Sequence, residues 1–135
     1  MNTHMLDRYT QFVDGVTSEA SKDVEEYIKS IERLAEQGCD ISRLDTAFTG
    51  LVSESGEAND LVKKLKFHGK DWDGDIRQHL IKELGDIAWY WAQGCMALGV
   101  DPEVVLERNV EKLEARYPGG KFDIHRSENR AEGDI

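Results

Sequence analysis

Proline is nearly missing from this chain. The two that occur, Pro102 and Pro118, leave about a hundred residues free of the strongest helix breaker. Alternating β-branched runs are absent too, which removes the usual signature of strands. Cysteine is scarce: Cys39 and Cys95 stand far apart, with no Cys-x-x-Cys and no Cys/His cluster at zinc-ligand spacing, so neither a disulfide framework nor a zinc site is expected. Basic residues are in deficit, 17 Lys and Arg against 27 Asp and Glu, and the formal charge of -10 disfavours nucleic acid and anionic membrane as partners. No segment approaches the roughly 18 apolar residues of a membrane span, and MNTHMLDRYTQF at the start holds no apolar core of signal-peptide type. A soluble protein of the reducing cytoplasm is expected.

What is present is helical periodicity. The pattern predicts a first helical region over about 5–37, broken near Gly15 and closed by Gly38, and a second helix from a cap at Asp40 or Ser42 to about 67, closed by His68 and Gly69. A third helix, capped by Asp73 or Asp75, is expected to run to about Leu98, and a fourth to start at Asp101 and Pro102 and stop at Arg116 before Tyr-Pro-Gly-Gly. The expectation is one all-α domain over 1–124, of four-helix-bundle type, followed by a flexible polar tail over 125–135. The third helix is apolar nearly all round (Ile87, Ala88, Trp89, Trp91, Met96, Leu98), which predicts self-association as a homodimer or homotetramer.

Acidic residues interrupt these apolar stripes. Leu51, Glu54, Ala58, Leu61 and Leu65 step by 3, 4, 3 and 4, and Ile76, Leu80, Glu83, Ile87 and Tyr90 by 4, 3, 4 and 3, so Glu54 and Glu83 hold core positions. Each has an acidic neighbour three residues on, Glu57 and Asp86. Carboxylates held away from water need a compensating positive charge, and four on facing helices form an oxygen cage of the kind that suits Mg²⁺ or Mn²⁺. A Glu-x-x-Glu pair on its own is common on solvated helix faces; two such pairs on consecutive stripes are not. A di-iron bundle would need Glu-x-x-His on two helices, and no such motif occurs.

Cations share the same faces. Lys64 and His68 follow Glu57 at helical spacing and project toward whatever the acids hold, while Asn109, Lys112 and Arg116 form one polar stripe on the fourth helix. Lys112 and Arg116 suit phosphate oxygens; they equally suit the negative end of their own helix. Cations beside a carboxylate cage in an acidic protein point to a polyanionic, metal-bound ligand such as a nucleoside polyphosphate.

The Glu54, Glu57, Glu83, Asp86 pattern, with GLVSESGEANDLVKKLKFHGK, KELGDIAWYW and LGVDPEVVLERNVEKLEARYPGGKF, resembles the small phage and bacterial type of the MazG-like all-α nucleoside triphosphate pyrophosphohydrolases over roughly residues 44–123. One departure is Ser53 before Glu54, where many members carry Glu or Gly. The resemblance implies hydrolysis of a (deoxy)nucleoside triphosphate to the monophosphate and pyrophosphate, for control of the nucleotide pool. The four acids would hold two or more Mg²⁺ ions, and Glu54 or Glu57 would orient or deprotonate the attacking water. Lys64, His68, Lys112 and Arg116 would meet phosphates, Asn109 the sugar or a phosphate, and Tyr90, one turn past Asp86, the sugar. A purine such as dGTP is the favoured base by the same resemblance, and the location is the host cytoplasm if the chain is phage-encoded. The alternatives are an enzyme acting on phosphoribosyl-ATP and a metal-dependent nucleotide-binding module without turnover.

Overall fold

A computed structural model describes residues 3–134; Met1, Asn2 and Ile135, the ends of the expected domain and tail, lie outside the described residues. Among those residues there are six α-helices, one short 3-10 turn and no strand: α1 (Thr3–Val16), the turn Glu19–Ser21, α2 (Val24–Glu36), α3 (Ile41–Phe67), α4 (Gly74–Ala97), α5 (Pro102–Arg116) and α6 (Ile124–Glu128). No helix of the described residues is long and apolar enough to cross a membrane. Two compact units emerge, Met1–Ile41 and Ser42–Ile135.

In the first unit the helical region is broken close to the expected Gly15, into α1 and α2. Lys22 Nζ donates to the Asp14 carbonyl at 3.1 Å and pairs with the Glu19 carboxylate at 3.4 Å, tying the turn to the end of α1. Asp23 then starts α2, its side chain accepting from the Glu25 and Glu26 backbone N–H groups at 2.9 and 3.0 Å.

The second unit is built on the long pair α3 and α4. The end of α3 follows from local chemistry: Gly69 takes φ +65°, and the N–H groups of His68 and Lys70 both return to the Lys64 carbonyl. Asp73 restarts the chain as the cap of α4, accepting from the Ile76 N–H at 2.9 Å, and Asp101 caps α5 in the same way through the Glu103 N–H at 2.8 Å. Small residues set the approach of the two helices. The Tyr90 ring lies so close on Gly50 that a methyl there would overlap ring carbons, and Gly94 faces Ala47. Arg43 Nη1 donates to the side-chain oxygen Oε1 of Gln93 at 3.3 Å. Because residue number rises on α3 as it falls on α4 through these contacts, the pair is antiparallel. That register carries Glu54 and Glu57 to Glu83.

Burial is sparse. Ala47, Leu61, Ile76 and Cys95 are the buried hydrophobic residues, whereas Val52 is 76% exposed, Leu84 65% and Phe122 72%. Past α5, Asp123 caps α6 through the Arg126 N–H at 2.8 Å, and Asp134 folds back onto Arg116.

Candidate active site

Three carboxylates meet where α3 and α4 face each other. Glu54, Glu57 and Glu83 each bring an oxygen within 4.8 Å of the other two. Their surroundings differ: Glu57 is exposed, Glu54 half-buried and Glu83 5% exposed. Helix spacing explains the gradient, since Glu83 and Glu54 occupy stripe positions and Glu57 lies to the side.

Glu83 is the centre of the electrostatic problem. His79, one turn earlier on α4, places Nε2 at 3.0 Å from Glu83 Oε1. Its Oε2 is buried and has no hydrogen-bond donor among the described residues. A buried, unpaired carboxylate oxygen is costly, and more so on a carboxylate that stands in a cluster of like charges. Glu54 registers the strain: partial burial first, then the charges of Glu57, Asp86 and Glu83, push its carboxyl above the ordinary glutamate range. An orphaned oxygen within an all-carboxylate donor set fits a hard divalent cation, whose charge reverses each of these penalties.

An open cleft of about 420 Å³ lies over the cluster, lined among others by Glu57, Asp60, Lys64, His79 and Glu83. Lys64 therefore reaches the same cleft as the acids, but Asp60 holds it at 2.6 Å and Lys63 at 2.7 Å. Asp86 is exposed and stands outside the close trio while still acting on Glu54 through its charge. His68 lies past the last residue of α3, exposed and away from the cleft lining. Tyr90 packs on Gly50 and edge-on to Trp89, with ring centroids 4.9 Å apart, so its ring serves the α3–α4 contact.

The α5 residues occupy a second cleft of about 330 Å³, where Lys112 and Arg116 face Arg126, Asn129 and Asp134. It shares no lining residue with the first, and Asn109 lines neither. His79 and Asp60 are absent from the sequence-derived set, although each stands four residues before its partner, Glu83 or Lys64, at the spacing of helical neighbours.

The comparison with known proteins decides the family. The sequence model of the MazG nucleotide pyrophosphohydrolase domain matches residues 43–120, which takes in α3, α4, α5 and the whole carboxylate cluster. The chain belongs to the MazG family. It is also similar to the Gene 37 protein of Mycobacterium phage L5, 41% identical over 87 residues, covering 61% of this chain and 74% of that protein. No solved structure matches the chain. As a MazG protein it carries a nucleotide pyrophosphohydrolase domain whose three clustered acids are suited to a divalent metal.

Proposed function

We propose that this protein hydrolyses (deoxy)nucleoside triphosphates to the monophosphate and pyrophosphate, with Mg²⁺, or Mn²⁺ in its place, held by Glu54, Glu57, Glu83 and Asp86. The observation that carries the reading is Glu83 Oε2, a buried carboxylate oxygen with no donor, set among two further carboxylates in a nucleotide pyrophosphohydrolase domain. A bound divalent cation neutralises triphosphate oxygens and makes a water molecule more acidic.

The chain's own groups do the rest. Glu83 is the fixed ligand, locked by burial and by His79 on its other oxygen. Outer contacts of this type fix the orientation of a ligand. Glu57, the exposed member, is nearest to solvent and is the group placed to orient the attacking water or accept its proton. Lys64 meets a phosphate from the cleft wall, and Lys112 and Arg116 supply further phosphate contacts.

Purified protein incubated with each common nucleotide and Mg²⁺ should release pyrophosphate, and Glu54→Gln should remove the activity. No pyrophosphate from any nucleotide, or full activity in that variant, would reject the reading. Competition over all eight nucleotides tests the proposed preference for a purine such as dGTP. Phosphoribosyl-ATP belongs in the same assay.

We further propose a homodimer or homotetramer. The second unit leaves Val52, Leu84, Trp89, Leu106 and Phe122 more than half exposed, apolar surface that self-association would cover. Light scattering at micromolar concentration that gave the monomer mass would overturn this.

A further inference from the structure

The segment after α5 turns at Tyr117–Gly120, forms α6 and returns along α5, so that Asp134 lies on the guanidinium of Arg116. The contact is bidentate, Nε to Oδ2 at 2.7 Å and Nη2 to Oδ1 at 2.5 Å. Planar two-point pairing is the geometry by which arginine takes a carboxylate or a phosphate, so the two ligands are alternatives for one fork. Both side chains are withdrawn from water, 12% and 14% exposed, in contrast to the half-exposed pairs of Asp60 and Lys63. Lys112 and Arg130 add their charge around the same carboxylate. Asp134 is thus a carboxylate seated among cations, in the cleft that also holds Arg126.

We infer that the C-terminal segment is an autoinhibitory latch: Asp134 occupies the phosphate fork of Arg116, and a nucleotide triphosphate binds there only by displacing it. The inference rests on the reading of Arg116 as a phosphate ligand. While the latch is closed, the Nε–Nη2 edge of Arg116 is taken by Asp134, and a second anion cannot use that edge. Opening releases residues 129–134 from α5 and exposes Arg116, Lys112 and Arg126 together. The apparent affinity for the triphosphate is then the intrinsic affinity scaled by the open fraction. A short acidic segment held by one bidentate pair supplies an off-state that substrate concentration itself relieves.

Inorganic tripolyphosphate with Mg²⁺ serves as the probe, measured by calorimetry on the full chain. Asp134→Asn should bind it about tenfold tighter than the wild type if the latch is closed about nine-tenths of the time. KM for nucleotide should fall by the same factor with kcat unchanged. In an Arg116→Gln background the Asp134→Asn change should have no further effect on affinity. In the wild type, saturating tripolyphosphate should remove amide-exchange protection from residues 129–134. Equal or weaker binding by Asp134→Asn, binding by neither protein, or protection retained in the tripolyphosphate complex would each overturn the latch. Hydrolysis by the wild type together with unchanged affinity in Asp134→Asn would reject the latch and leave the enzyme reading intact; tighter binding without hydrolysis would do the reverse.

Discussion

In the cleft between α3 and α4, three carboxylates converge and a buried oxygen of Glu83 has no donor; beside α5, cations converge on a carboxylate that the chain itself supplies. The first region is built with its charge unmet, and the second with its charge already met. A fold tolerates unmet like charge where something outside the chain supplies the opposite sign. Charge that is met internally is closed to a ligand until the internal partner leaves. The two regions also titrate in opposite senses: Glu54 is pushed above the ordinary glutamate value, while Arg116 holds Asp134 below the ordinary aspartate value.

The largest test of this contrast is Glu83→Gln. Outer contacts of a metal ligand are already worth about 10–100-fold, so loss of a buried ligand should lower pyrophosphate release by more than about a hundredfold. Without divalent cations, however, the variant should melt no lower than the wild type, because a buried carboxylate charge with one oxygen lacking a donor has been removed. Mg²⁺ should raise the melting temperature of the wild type and leave the variant's unchanged. A variant that melts well below the wild type in EDTA would show that Glu83 is a structural carboxylate.

Next comes the seam that brings the acids together. Gly50→Ala puts a methyl into the Tyr90 ring and forces α3 and α4 apart at the register that aligns Glu54 with Glu83. Overpacking of this kind costs about 1–3 kcal/mol, to be read from urea unfolding. Gly85→Ala, on α4 with open space around its Cα, should not destabilise the protein. Equal effects of the two substitutions would mean that the close contact is not what sets the helix spacing.

Helix ends and caps were legible in the sequence because their chemistry is local: Asp73, Asp101 and Gly69 act on residues within one turn. The clustering of Glu54, Glu57 and Glu83 was legible because acids break an apolar stripe, whereas His68 follows the last residue of α3, Phe67, and does not line the cleft. The Arg116–Asp134 contact was beyond reach, since it depends on the path of the chain through Pro118–Gly120 and α6 and not on spacing along a helix. The break in the first helical region, expected near Gly15, falls just after it, where α1 ends at Val16 and the turn Glu19–Ser21 follows.

A pH titration sharpens the opposition at smaller scale. Asp134 has a lowered folded pKa, so its pair with Arg116 contributes fully above the ordinary aspartate value of 3.8 and is lost as pH falls through the lowered one. Asp134→Asn should therefore flatten the acid limb of the stability profile below that value. Glu54, raised, works the other way in metal-free protein: its contribution is present below 4.5 and lost as pH rises through its folded value. Glu54→Gln in EDTA should reduce the fall in stability on that side. If both substitutions changed the same limb in the same direction, the two clefts would not differ in sign.

The smallest expected effect concerns Lys64, which belongs to the acid cleft by position and resembles Arg116 in being held by the chain's own carboxylate. Asp60, drawn down to about 2 mainly by its hydrogen bonds to Lys63 and Lys64, is half-exposed. Exposed pairs of this spacing are weak and screened by salt, so Lys64 can leave Asp60 at little cost. Asp60→Asn should lower KM by no more than about threefold, with the difference shrinking as salt is raised. A tenfold drop would place Asp60 with Asp134 as a second internal competitor for phosphate. A rise in KM would instead make Asp60 a group that positions Lys64 for its ligand.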